Sequence, residues 1–337
     1  MTATQARPHL LTRRQLLLAP LLLAACGDRG RTRPLFAAES QPDAYPTTQA
    51  LHRIDQILDQ RTGGEMRLRV YAGGQMGSEN DTLEITIFGG LDLNRVNLAP
   101  LNPIIPETIV LALPFLFRSV THLRQALDGV NGRRILDAMS PYELKGMCFY
   151  DSGERCFYNT RRPIYTPDDL KGLKIRVPSS DIYVSMIQAL GANPTPIPYG
   201  EVYSALVQGV VDGAENNWPS YESSRHFEVA RFYSLTRHVM APDVLVASQR
   251  SWDRMSSEEQ EHLQAATDES VPYMRMLWDQ RDAEARSRVL AQGIELVEEV
   301  DHEAFASLML PVWEKFLTTP ALLDLSESIG NMETDDG

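Results

Sequence analysis

The sequence predicts an α/β fold arranged in two lobes, and three observations predict it. Helical and extended patterns alternate along most of the chain, the order that builds a sheet with parallel strands. The 337 residues have room for two lobes of common domain size. Near the C-terminal end a helical pattern runs for roughly 35 residues, about 50 Å, which is more than one small lobe spans.

The elements follow in chain order. Residues 26–40 read as a tether, with charge, Pro34 and glycine. Thr47 to Gln60 is helical through Leu51, Ile54, Ile57 and Leu58, and stops at Gly63-Gly64, a C-cap signal. Met66 to Tyr71 alternates as a strand does. Asn80 to Phe88 reads as a helix before Gly89-Gly90, and Leu91 to Leu98 as a strand. A second unit runs Gly172 to Val177 (strand), Ser180 to Leu190 (helix), Thr195 to Pro198 (extended), Glu201 to Gln208 (helix), then Val210-Val211. The long helix opens at Ser256 or Ser257, with Glu258 and Glu259 in its first turn, where the helix dipole favours acids. It meets no glycine until Gly293, and Pro272 predicts a kink. The other reading is two helices parted at Pro272.

A formal charge of -13 excludes a nucleic-acid partner, which needs a basic surface. An acidic shell also gives an anionic ligand no long-range steering, so an anion site has to be built from a few placed arginines. Arg13 and Arg14 precede a leucine-rich uncharged run, Leu16 to Ala25. That run is about half the roughly 20 residues a spanning helix needs, so it reads as an export signal over residues 1–25. Arg13-Arg14-Gln15-Leu16-Leu17 resembles a twin-arginine signal, which points to the periplasm. Leu23-Ala24-Ala25-Cys26 resembles a bacterial lipobox, with Cys26 as a lipid anchor. The competing reading is cleavage after Ala37 or Ala38, which removes Cys26. Cys148 and Cys156 then remain, either as two buried thiols or as a bridge across Asp151-Ser152-Gly153. No Cys/His cluster, phosphate loop, dinucleotide fingerprint, Gly-x-Ser-x-Gly elbow or His-Glu-x-x-His motif is present, so no metal, cofactor or catalytic residue is expected.

Residues 166–178, Thr-Pro-Asp-Asp-Leu-Lys-Gly-Leu-Lys-Ile-Arg-Val-Pro, resemble the central motif of the solute-binding proteins of tripartite ATP-independent periplasmic (TRAP) transporters. Its companions are Gly191-Ala192 with Pro194 and Pro196, the run Glu201 to Leu206, the run Gly209 to Asn216, and Leu113-Pro114-Phe115. The resemblance implies two α/β lobes joined by hinge strands, with a long helix shared by both, and a cleft that closes on a carboxylate. The boundaries expected are 41–152 plus 243–281 for the first lobe and 153–242 plus 282–330 for the second. It implies no catalysis, no cofactor, and TRAP membrane subunits as partners. A periplasmic enzyme on sugar acids and a ligand sensor docked on a receptor are the competing classes.

The site residues come from both sources. Arg176 ends a strand just before Val177-Pro178, where a guanidinium can face a cleft and grip a carboxylate through two hydrogen bonds, which lysine cannot do. The resemblance gives it that role and adds Arg155 as a second donor, Asn216 as a cleft amide, Tyr199 as an aromatic wall and His238. Asn217 lines the same wall. On the strand Leu91 to Leu98, Arg95 and Asn97 share a face, and buried there they need polar partners such as ligand hydroxyls. Glu79 is either a first-turn helix acid or an acceptor for those hydroxyls. The runs Asn94 to Asn97, Leu113 to Arg118, Tyr150 to Asn159 and Asp212 to Tyr221 resemble family members that bind uronic acids such as glucuronate or galacturonate. A dicarboxylate stays open, with Arg95 as its second grip.

Overall fold

The computed structural model describes residues 34–333. The export signal, the twin-arginine pair and Cys26 lie outside the described residues. In chain order the first elements are β1 (Leu35–Ala38), α1 (Pro46–Thr62), β2 (Leu68–Tyr71), α2 (Glu79–Ile87) and β3 (Leu93–Asn97). Then come α3 (Glu107–Val110), α4 (Val120–Asp128), α5 (Val130–Asp137), β4 (Leu144–Tyr150) and β5 (Arg155–Asn159). The middle holds β6 (Lys174–Val177), α6 (Asp181–Ala189), β7 (Asn193–Pro196), α7 (Val202–Val207), β8 (Gly213–Asn216) and α8 (Trp218–Ser223). The last stretch is β9 (Phe232–Val239), β10 (Asp243–Ser248), α9 (Gln249–Trp252), α10 (Ser257–Ala291), β11 (Glu295–Val297), α11 (His302–Ser307), α12 (Leu310–Phe316) and α13 (Pro320–Gly330).

Two sheets make two lobes. The first sheet has the order β2-β1-β3-β10-β4, the second β11-β9-β5-β8-β6-β7. The β-α-β units pair in parallel, as β1 with β2 and β3, and β6 with β7 and β8. Both sheets are nonetheless mixed, because the chain crosses between lobes: β10 runs antiparallel to β3 and β4, and β5 antiparallel to β8 and β9. Every residue of β10 is buried, as a strand flanked on both edges and covered on both faces must be. The edge strand β7, Asn-Pro-Thr-Pro, carries two prolines, which block further strand addition.

Two crossing segments join the sheets, Tyr150 to Arg155 and Val239 to Asp243. They are pinned at each end, since Asp243 pairs with Tyr150 in one sheet and Arg155 with Val239 in the other. The third connection is α10, a single helix of 35 residues with Pro272 inside it. Its capping box on Ser256 and Glu259 fixes the start. Leu263, Ala266, Met274 and Trp278 feed the first lobe's core, while Ala285 and Val289 feed the second's. The helix therefore braces both lobes with one rigid element. Beneath the first crossing, Gly153 has φ +63°, and a Cβ there would sit 2.9 Å from Trp278 Cζ2, so the hinge packs on α10 only through a glycine.

Two boundaries differ from the sequence reading. The tether does not reach residue 40: β1 is an inner strand, with Ala37 and Ala38 buried between β2 and β3. Four apolar residues beside a leader read equally as a cleavage site, and only the long-range pairing separates the two. At the other end α13 packs on α3 and α5 of the first lobe, so the C-terminal chain returns from the second lobe. Cys148 and Cys156 are free, buried thiols in different cores, because β4 and β5 belong to different sheets.

Candidate functional site

The cleft lies where the ends of β1 and β3 and the start of α2 face the start of β5 and the ends of β6 and β8. Its inner part is a space of about 360 Å³ lined from both lobes, with Glu79, Arg95, Asn97 and Asp243 on one side and Arg155, Arg176, Tyr199 and Asn216 on the other. It opens into an outer chamber of about 860 Å³ bordered by Gly73, Gly74 and Gly77 on one lobe and Pro198 and Gly200 on the other. The lobes touch across it: Asn102 Nδ2 donates to Ser180 Oγ at 2.9 Å, and Tyr45 Oη lies 2.9 Å from Ser220 Oγ.

The three arginines are buried but not equivalent. Arg95, 2% exposed, donates through Nε to Glu39 Oε2 at 2.8 Å and through a second nitrogen to Glu39 Oε1. It also donates to Glu79 Oε1 at 3.0 Å and Ser40 Oγ at 2.7 Å, and Asp243 Oδ2 lies 3.3 Å from its Nη1. Burial works against its charge, but Glu39, Asp243 and Glu79 outweigh burial and hold its pKa well above the usual value. Arg155 forks onto Glu215, with Nη2 to Oε1 at 2.7 Å and Nε to Oε2, and donates to Asn216 Oδ1 at 3.1 Å. Burial would raise Glu215, yet Arg155 foremost, with His238, brings it down to about 2.

Arg176 differs from both. Its Nε donates to Ile197 O at 2.8 Å, and among the described residues no carboxylate lies within ion-pair distance of it. It is 4% exposed, and burial pushes its pKa below the usual arginine value, with Glu215 acting the other way. A guanidinium stays charged even so. A desolvated cation that lines a cavity is a preformed place for an anion.

Several expected residues meet at this cleft. Asn97 donates from its side chain to Glu79 Oε2 and from its backbone to Glu79 Oε1 at 3.2 Å. Glu79, the first residue of α2, is turned inward toward Arg95 and Asn97, so it is more than a first-turn acid. Asn216 lines the space with its amide nitrogen as the remaining donor, since its Oδ1 accepts from Arg155 and from Asn217 N. Tyr199 lines both compartments, and its hydroxyl donates to Ser220 O at 3.2 Å.

Two expected residues do not reach the cleft. Asn217 is fully used as the cap of α8, accepting from Ser220 N and donating to Ser152 O. His238 is buried, stacked on Phe157 at 4.2 Å and hydrogen-bonded to Thr236, and stands behind Glu215 at 3.6 Å. Arg95, expected as a second cationic grip for a dicarboxylate, is surrounded by three carboxylates, Glu39, Glu79 and Asp243.

Sequence reasoning passed over Glu39, Asp243 and Glu215. Glu215 lies in the quoted run Gly209 to Asn216, on a strand whose alternation buries an acid and so asks for a cation. Glu39 follows an apolar strand as Asn97 ends one, a signal hidden by the leader. Asp243 had no local signal. A hollow of about 980 Å³ on the hinge side, lined by Glu154, Asp279, Asp282 and Trp278 among others, is not a rival, as its arginines Arg237 and Arg286 are paired with Glu154 and Glu298. Among the described residues no helix is long and apolar enough to cross a membrane, and no cluster of ligating side chains suits a metal.

Comparison with known proteins agrees with this architecture. A solved TRAP periplasmic solute-binding protein from Bradyrhizobium sp. BTAi1, in complex with α/β-D-galacturonate, superposes with a TM-score of 0.88 at 48% identity over 89% of this chain and 100% of that one. One from Roseobacter denitrificans with bound β-D-glucuronate gives 0.87 at 39% identity, over the same shares of each chain. A solute-binding protein of Chromohalobacter salexigens is 39% identical over 276 residues, 82% of each chain. The family model described as bacterial extracellular solute-binding protein, family 7, matches residues 37–319. With two sheets, two crossing segments, one shared helix and a cleft between them, the chain belongs to the DctP family of TRAP solute-binding proteins.

Proposed function

We propose that the protein captures a single uronate, D-glucuronate or D-galacturonate, outside the cytoplasmic membrane and delivers it to TRAP membrane subunits without chemical change. The observation that carries this is Arg176: among the described residues this one buried guanidinium has no carboxylate within ion-pair distance, while the other two buried arginines are paired. One free cation suits one carboxylate. A dicarboxylate would leave its second anion on the side lined by Glu79 and Asp243, at a cost of like-charge repulsion with Glu79 in a desolvated space. The same acids, with Asn97 and Asn216, suit a ring that carries several hydroxyls, and Tyr199 offers an aromatic face to its C–H surface. The ligands of the Bradyrhizobium and Roseobacter proteins support the sugar-acid reading.

Capture works by closure. The ligand bridges groups from both lobes and favours the closed state by its extra contacts there. Thermal unfolding against glucuronate, galacturonate, gluconate, succinate, pantoate and a neutral hexose tests the reading, since a ligand that binds only the folded state raises the melting temperature. A large shift with a uronate and none with the hexose is expected. A shift with succinate or pantoate alone overturns the uronate assignment.

A further inference from the structure

The cleft and the layer directly behind it carry more acid than their arginines neutralise. Glu39, Glu79, Asp243 and Glu215 face Arg95, Arg155 and Arg176. A bound carboxylate adds a fifth anion against three cations. Closure removes the water that would screen them, and like charges in such a space do not all stay ionised.

Hydrogen bonding singles out the group that yields. Glu39 accepts from Arg95, Thr47 Oγ1 and Gln41 N. Glu215 takes the Arg155 fork. Glu79 accepts from Arg95, Asn97 and Ser40. Each of these three carboxylates is held by such donors. Asp243 receives none among the described residues; it has only Arg95 Nη1 at 3.3 Å, a nitrogen already donating to Glu79. It is 4% exposed, and it lines the inner space at the first residue of β10, where the chain has just crossed the hinge.

We propose that Asp243 is a specificity-determining residue that meets the ligand as the neutral acid, so that capture of the sugar acid takes up a proton. This rests on the uronate reading above. As an acid Asp243 offers an O–H on a wall where its neighbour Glu79 accepts, and so selects a ligand with a hydroxyl or ring oxygen at that point. The groups facing it are Arg95 on β3, Glu39 after β1, Glu79 on α2, Arg155 on β5, Tyr183 on α6 and Tyr45 before α1. Burial, against Arg95 and with Glu79 and Glu39, puts Asp243 near neutrality, at about 7. The two tyrosines are pushed up by burial, and the buried His226 and His238 are pushed down, so none of these four competes near neutral pH.

Calorimetry of D-glucuronate and D-galacturonate binding, from about pH 6 to 8.5 in buffers of different ionisation enthalpy, tests it. The natural protein is expected to take up a proton on binding. Its affinity should fall by up to about tenfold per pH unit once Asp243 is ionised in the free protein. Asp243→Asn keeps the shape and removes the titrating group, so whatever affinity it retains should show a flat pH profile and no proton uptake. Uronate binding with no proton exchange and no pH dependence overturns the proposal alone. Proton uptake that persists in Asp243→Asn also overturns it. Absence of uronate binding at any pH overturns the uronate reading and this proposal with it. The natural protein's buffer series decides the linkage even if the variant does not fold.

Discussion

Asn102 Nδ2 donates to Ser180 Oγ at 2.9 Å, and the two residues belong to different lobes. Asn102 lies in the segment after β3, and Ser180 caps α6 in position but not through its side chain. The hydroxyl therefore accepts from the other lobe, and both residues are buried.

Ser180→Ala should weaken ligand binding while leaving each lobe intact. In the closed form Asn102 Nδ2 loses its partner, and an unsatisfied buried donor costs about 1–3 kcal/mol. When the lobes part, water satisfies it. The penalty falls on closure, so affinity should drop roughly fivefold to a hundredfold. Titration calorimetry of the variant checks this; an unchanged dissociation constant means the contact does not report closure.

Arg176→Ala should cost about 2–5 kcal/mol of binding, the range for removing one partner of a buried charge pair. Arg176→Lys should recover little, because an ammonium cannot form the planar fork. The unliganded protein should unfold at or above the natural temperature, since Arg176 has no ion pair to lose among the described residues and is desolvated without one. Near-native affinity in Arg176→Ala sinks the clamp.

How much of this was legible depends on the range of the contacts. The amphipathic helices, the glycine stops and the capping box of α10 are local, and the sequence carries them. Arg176 is legible for the same reason, as a strand end stopped by Pro178. Its isolation is not legible, because that depends on where Glu215 and Arg155 turn. Arg95 misled the reading: its face on β3 was right, but its partners are Glu39, 56 positions away in the chain, and Asp243 on a strand that returns from the other lobe. Asp243 is a lone acid at the end of a turn until β10 is placed between β3 and β4. Asn217 and His238 looked like ligand groups because caps and buried networks use the same residue types as binding sites.

The Arg155–Glu215 pair makes a stability prediction with a defined pH window. The folded Glu215 has its pKa lowered from 4.5 to about 2, burial being outweighed by Arg155 and His238. A depressed carboxyl contributes its stability in full above 4.5 and loses it as the pH falls toward 2. Glu215→Gln removes that contribution and leaves Arg155 buried without its counter-charge, which should cost about 3–5 kcal/mol at neutral pH. The natural protein then loses its advantage on acidification, so the gap between the two should narrow through that window. Urea unfolding of both proteins at steps from neutral pH downward measures the gap. A gap that stays constant would show that the carboxylate charge is not what holds Arg155, and that the pair acts by shape alone.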